Sequence, residues 1–93
     1  MSATLLYLLY ADDGARLVYA GTDADEFERR SRELAAGHAG ALTGRRRAGR
    51  GEQWLVRAYF RTPPTREFIA QRRRFPHDLT WEPADQARDA AAD

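Results

Sequence analysis

YLLYADDGARLVYAG, residues 7–21, decides how this chain begins to fold. Two apolar runs bearing tyrosines flank Asp12-Asp13-Gly14. Asp and Gly tolerate the left-handed backbone that a tight reversal needs, so the triplet predicts a hairpin turn. The run before it, Thr4 to Tyr10, is apolar at successive positions, which predicts a strand covered on both faces. Arg16 to Gly21 predicts its antiparallel partner. Tyr7 and Tyr19 sit on these two strands. Either they are ordinary strand residues that half-bury a ring and wet a hydroxyl, or they are phenols facing a reaction.

Past the hairpin the periodicity changes from two to 3.6. Thr22 or Asp23 can cap a helix, and Asp25 and Glu26 fall in its first turn, where acids favour the dipole. Phe27, Ser31 and Leu34 share one face. Gly37 is a stop signal, so the helix is predicted over 24–36. His38 follows directly and reads as a surface histidine. HAGALTGRRRAGRG, residues 38–51, has the composition of a Gly- and Arg-rich loop. Gln53 to Arg61 predicts a third strand, with Trp54, Val56, Ala58 and Phe60 on one side. Pro63-Pro64 ends it as a connector. Thr65 caps a second helix predicted over 66–74, which Pro76 closes. Leu79-Thr80-Trp81 fits a short strand or packed coil. Residues 1–82 thus form one domain, and 83–93 are a polar, Ala-rich tail. The fold class expected is α+β, a small antiparallel three-stranded sheet flanked by helices in the order β-β-α-β-α. Trp54 and Trp81 are expected in its core.

Composition narrows the function. The chain has 93 residues, no cysteine and two histidines. That excludes a disulfide frame and a thiolate zinc site, and suits the reducing cytoplasm. No segment approaches the roughly 18–20 apolar residues that span a bilayer, so no membrane partner is expected. The net charge of +1 conceals an uneven distribution. Residues 1–37 carry four Arg against seven acids, 38–74 ten Arg against two, and 75–93 one Arg against five, giving −3, +8 and −4. A basic middle third attracts polyanions whatever the overall pI. All fifteen cations are Arg, whose planar fork binds two phosphate oxygens at once, although an Ala-rich, Lys-free composition also follows from GC-rich coding.

The order of elements and several short motifs resemble the GIY-YIG nuclease superfamily. Leu5-Leu6-Tyr7 stands at the first motif and Tyr19-Ala20-Gly21 at the second, with Tyr7 seven residues before Gly14, as in small single-domain members. Glu28-Arg29-Arg30 lies where the family has a helix arginine. Leu42 to Arg47 resembles its Thr- and Arg-rich loop. The resemblance covers about residues 4–75. It implies phosphodiester hydrolysis of DNA or RNA, with Tyr7 and Tyr19 in one pocket, Arg30 (or Arg29, counted from Gly21) on the phosphate, and a divalent cation, Mg²⁺ or Mn²⁺, held from the second helix. Such chemistry needs a cation, a metal and an oriented nucleophile. The departures are Leu5 in place of the first-motif glycine and Gln71 at the position matched to the metal-holding glutamate. A neutral amide is a weaker ligand for a hard dication than a carboxylate. Glu67, one turn earlier, is the only acid on that helix.

Arg45, Arg46, Arg47 and Arg50, with Arg72, Arg73 and Arg74, are the candidate contacts to a nucleic-acid backbone. Three functions therefore stand at this level. One is a metal-dependent nuclease, monomeric or homodimeric. Another is a nucleic-acid-binding module that no longer cuts. The third is a small α/β domain whose basic face meets an acidic protein.

Overall fold

The computed structural model describes residues 5–48, 52–74 and 78–84, with only the backbone of Arg47 and Ala48. Seven elements follow in the order β1 (Leu5–Ala11), β2 (Arg16–Gly21), α1 (Ala24–Ala35), β3 (Gly40–Ala48), β4 (Glu52–Phe60), α2 (Arg66–Arg72) and β5 (Leu79–Pro83). The five strands make one sheet in the order β2-β1-β4-β3-β5. This corrects the expected three-stranded antiparallel sheet. The sheet is mixed, because β1 pairs with β4 in parallel, Leu5 against Gln53 through Tyr10 against Ala58. The other pairings are antiparallel.

The larger error lay in 38–51. The stretch that reads as a Gly- and Arg-rich loop contains β3, paired with β4 on one side and β5 on the other. Gly and Arg are loop cues in a local reading, but a strand bonded along both edges is fixed by its neighbours. The glycines here are required by β5. A methyl group at Gly44 would collide with the Asp78 carbonyl, and one at Gly40 would lie 2.6 Å from the Glu82 carbonyl oxygen.

The hairpin is present as expected. Asp12 (φ 54), Asp13 (φ 62) and Gly14 (φ 87) all adopt left-handed backbone. Two Asp residues there cost of order 1 kcal/mol or more each. Partners offset it: Asp12 accepts from Arg16 at 2.9 Å, and the Asp13 carboxylate accepts from the Arg61 N–H at 3.0 Å. α1 is capped by Asp23, whose Oδ1 accepts from the backbone of Asp25 and Glu26. α2 begins at Thr65, whose hydroxyl accepts from the Phe68 N–H. It ends at Arg72, two residues short of the expected end. Pro76, expected to close it, lies outside the described residues, as does the tail from 85 onward. β5 continues to Pro83, and Ala84 is buried against Ala39 through a 2.9 Å backbone bond.

Strand alternation gives the sheet two different faces. The α1 face carries Tyr7 and Leu9 of β1, Leu55 and Tyr59 of β4, and Ala41 of β3. These pack on Phe27, which is fully buried, with Tyr19, Val18 and Leu34 around them. The opposite face carries Leu8, Tyr10, Trp54, Val56, Ala58, Phe60 and Leu42. Among the described residues only the seven-residue α2 rests there, with Phe68 edge-on to Phe60 at 5.9 Å. β1 is thus covered more closely on one face than on the other, not on both: Leu9 and Ala11 are buried, while Tyr7 beside them and Leu6, Leu8 and Tyr10 on the opposite face are half-buried.

Candidate functional site

The α1 face holds the tyrosine pair. Tyr7 packs on Phe27 with ring centroids 5.0 Å apart. Tyr19 sits opposite Leu9 across the hairpin, two pairs along from Tyr7 and Gly21 and on the same face. Its hydroxyl accepts the Asp23 N–H at 3.1 Å, so this phenol braces the start of α1. A methyl group at Gly21 would lie 2.5 Å from that hydroxyl, which explains the glycine after Tyr19.

Arg30 joins them. Its guanidinium lies 5.6 Å from the Tyr19 ring centroid. One nitrogen donates to Glu26 at 2.7 Å and another to the Val18 carbonyl at 3.1 Å. Arg29 instead points outward and bridges Glu26 and Glu33. The shared hydrogen bonds from Arg29, then Arg30, hold the Glu26 carboxyl below its ordinary range. The bulge between Leu9 and Tyr10 shifts the register of β2 beside Val18, whose carbonyl Arg30 uses. Of the two arginines, Arg30 is the one placed with Tyr19.

The metal candidates are elsewhere. Gln71 and Glu67 lie exposed on α2, which packs on the opposite face of the sheet from Tyr7, Tyr19 and Arg30. The sheet stands between them, so the residues expected to hold a divalent cation do not share a site with the tyrosines. Among the described residues no group of three His, Asp or Glu side chains is arranged to hold a metal ion. The donors present do not fit the metal centre that the resemblance implies.

The arginines divide in the same way. Arg45 lies on the α1 face and donates to the Gln53 amide oxygen at 3.3 Å. Arg46, one residue on, points to the opposite face and lies 5.9 Å from the Trp54 ring centroid. Arg72 reaches the same face from α2, its guanidinium 4.6 Å from the Phe68 ring centroid. Arg73 and Arg74 are exposed beyond the helix. The Arg47 side chain and all of Arg50 lie outside the described residues.

Arg46 and Arg72 flank a groove of about 400 Å³. Its floor is Leu8, Val56, Ala58 and Leu42, and aromatic rings of Trp54, Tyr10, Phe60 and Phe68 line it. That volume lies in the range of small-ligand sites. Asp13 borders it near Tyr10. Sequence reading placed Trp54 in the core. The structure leaves it half-buried beside the groove, while Trp81 packs edge-on to Phe60 at 6.0 Å. The alternation of Trp54, Val56, Ala58 and Phe60 was visible. That, among the described residues, their face has only a short helix on it was not.

His38 also departs from expectation. Its side chain is 8% exposed. Nδ1 lies 2.7 Å from the Leu34 carbonyl and must donate to it, which leaves Nε2 facing Asp12 Oδ1 at 3.9 Å. Asp12 also meets Arg61 at 2.9 Å. The Arg16 hydrogen bond, joined by Arg61, holds the Asp12 carboxyl below its ordinary range. This cluster ties the hairpin turn to the end of α1 and to β4. Burial raises the Tyr59 hydroxyl above its ordinary range, so it stays a neutral phenol.

No family model, curated protein or solved structure matches the chain. No described helix is long and apolar enough to cross a membrane.

Proposed function

We propose that this protein binds nucleic acid through the groove opposite α1. The observation that carries the reading is the pairing of cations with aromatic rings on one half-open sheet face: Arg46 with Trp54, and Arg72 with Phe68. Both lie in the segment 38–74 that carries +8. Cations neutralise phosphate, and half-buried rings at a groove can stack on bases, so the two together suit a nucleic acid better than an acidic protein. A cysteine-free chain with that role belongs in the cytoplasm.

The test is fluorescence anisotropy with labelled DNA and RNA over a range of salt. Binding that weakens linearly in log affinity against log salt, and is weaker in Arg46→Gln, is expected. Salt-independent association, or none at all, would end this reading.

Phosphodiester hydrolysis is the second reading. What favours it is Arg30 beside Tyr19 on the α1 face. Against it stands the separation of those residues from Gln71 and Glu67. Incubation of DNA and RNA with Mg²⁺, Mn²⁺ or EDTA, with Gln71→Glu in parallel, tests it. Metal-dependent cutting that Tyr7→Phe and Arg30→Ala each reduce at least tenfold would favour hydrolysis over simple binding.

A further inference from the structure

We infer that the groove takes a single strand, with unstacked bases against the aromatic rings that line it and the phosphates directed to Arg46 and Arg72. This deepens the nucleic-acid reading and rests on it.

The shape and chemistry of the groove separate strand from duplex. A duplex presents charged phosphates outward and keeps base faces stacked inside. Seated on this floor, it would press phosphates against Leu8, Val56, Ala58 and Leu42. Taking charge out of water onto an apolar surface is costly. The sheet face is also a concavity, so it cannot enter a duplex groove to read base edges. A single strand offers both components separately: π-faces for Trp54, Tyr10 and Phe68, and phosphates for the rim.

The charges give the strand a direction across the sheet. Arg46 stands at one end of the groove, beside Trp54. Asp13 borders the other end, near Tyr10 and Phe60. It is fixed there, since its carboxylate accepts from the Arg61 N–H and its own N–H donates to the Tyr59 carbonyl. The cations nearest that end, Arg16 and Arg61, are both held by the Asp12 carboxylate, so it offers phosphate less than the Arg46 end does. Bases therefore lie along β4 from Trp54 toward Phe60, and the backbone keeps to the side of Arg46 and Arg72. Among the rings, Trp54 is the first stacking platform, because Phe60 is buried and is engaged by both Phe68 and Trp81.

The test compares labelled oligo-dT, oligo-U and a mixed duplex of equal length, followed by anisotropy and by tryptophan fluorescence. Single strands are expected to bind at least tenfold tighter than duplex and to quench the tryptophan signal. Trp54→Ala should weaken the strand by about five- to hundredfold, with Trp54→Phe restoring most of it. The log–log salt slope for a single strand should be at least about 1.4 in magnitude, and Arg46→Gln should reduce it by about 0.7. Arg32→Gln, which removes an exposed cation from the last turn of α1 on the other face, should change neither. Circular dichroism on each variant confirms the fold, and Arg46→Gln, a change at an exposed side chain, keeps the test valid should Trp54→Ala unfold. Equal affinity for duplex and strand, or binding that Trp54→Ala and Trp54→Phe leave intact, would overturn the single-strand inference while leaving nucleic-acid binding in place. Absence of binding to every oligonucleotide would overturn both. A dimer in sedimentation that dissociates in Trp54→Ala would mean that a second copy covers the groove, and would overturn both as well.

Discussion

Replacing Gly44 by alanine puts the fold to a test of sign. In a loop, Gly→Ala restricts the unfolded chain and stabilises by about 0.4–1 kcal/mol where the backbone allows it. Composition alone assigns Gly44 to such a loop. In the structure it lies on β3, opposite Val56 of β4 and Leu79 of β5. The added methyl would collide with the Asp78 carbonyl oxygen and come within 3.1 Å of the Leu79 Cα. These are backbone atoms, so no side chain can swing aside. Overpacking of this kind costs about 1–3 kcal/mol. Moving β5 away strains its first ladder bonds as well, each worth about 0.5–1.5 kcal/mol. The expected loss is about 2–4 kcal/mol. At a urea m-value of about 1.5 kcal/mol/M, the midpoint falls by about 1.3–2.7 M. Gly37 is the control, since nothing lies within 4 Å of a methyl group there. Gly37→Ala should be neutral or slightly stabilising. If Gly44→Ala matches Gly37→Ala in urea, β3 is not held between β4 and β5, and the five-stranded sheet is wrong.

The remaining predictions concern the core, the site and pH. Phe27→Ala removes a fully buried ring that touches Tyr7 and lies under the Arg57 guanidinium, and should cost about 3–5 kcal/mol in chemical denaturation. Tyr19→Phe leaves the Asp23 N–H without its acceptor and should cost about 1 kcal/mol, whereas Tyr7→Phe should leave the midpoint almost unchanged. Asp12 and Glu26 both titrate below their ordinary values when folded. Their stabilising contribution is therefore complete above about pH 5 and is lost as the pH falls through about 4 and below. Asp12→Asn should flatten the acid limb of a stability-against-pH curve, and an unchanged limb would show that its arginine partners do not hold it. Thr65→Ala should cost about 1 kcal/mol through loss of the α2 cap, read by thermal melting.

The hairpin, both caps and both helix starts were written locally. Asp12-Asp13-Gly14 dictates a reversal by backbone sterics, and Asp23 and Thr65 satisfy orphan N–H groups within three residues. Phe27 was legible as a core residue because helical spacing needs only its own segment. Arg30 beside Tyr19 was legible too, because hairpin and helix are consecutive in the chain.

What tertiary structure decided was long-range. β3 exists because β4 and β5 hold it on both sides, against its Gly- and Arg-rich composition. Adjacent arginines, 45 and 46, part company because a strand sends neighbours to opposite faces. Gln71 and Glu67 fell on the far side of the sheet from the tyrosines because α2 packs on Phe60, not Tyr59. Spacing along a chain fixes which residues share an element's face. Which face of the sheet each helix covers depends on pairings between segments tens of residues apart, and only those pairings separated the groove from the tyrosine pair.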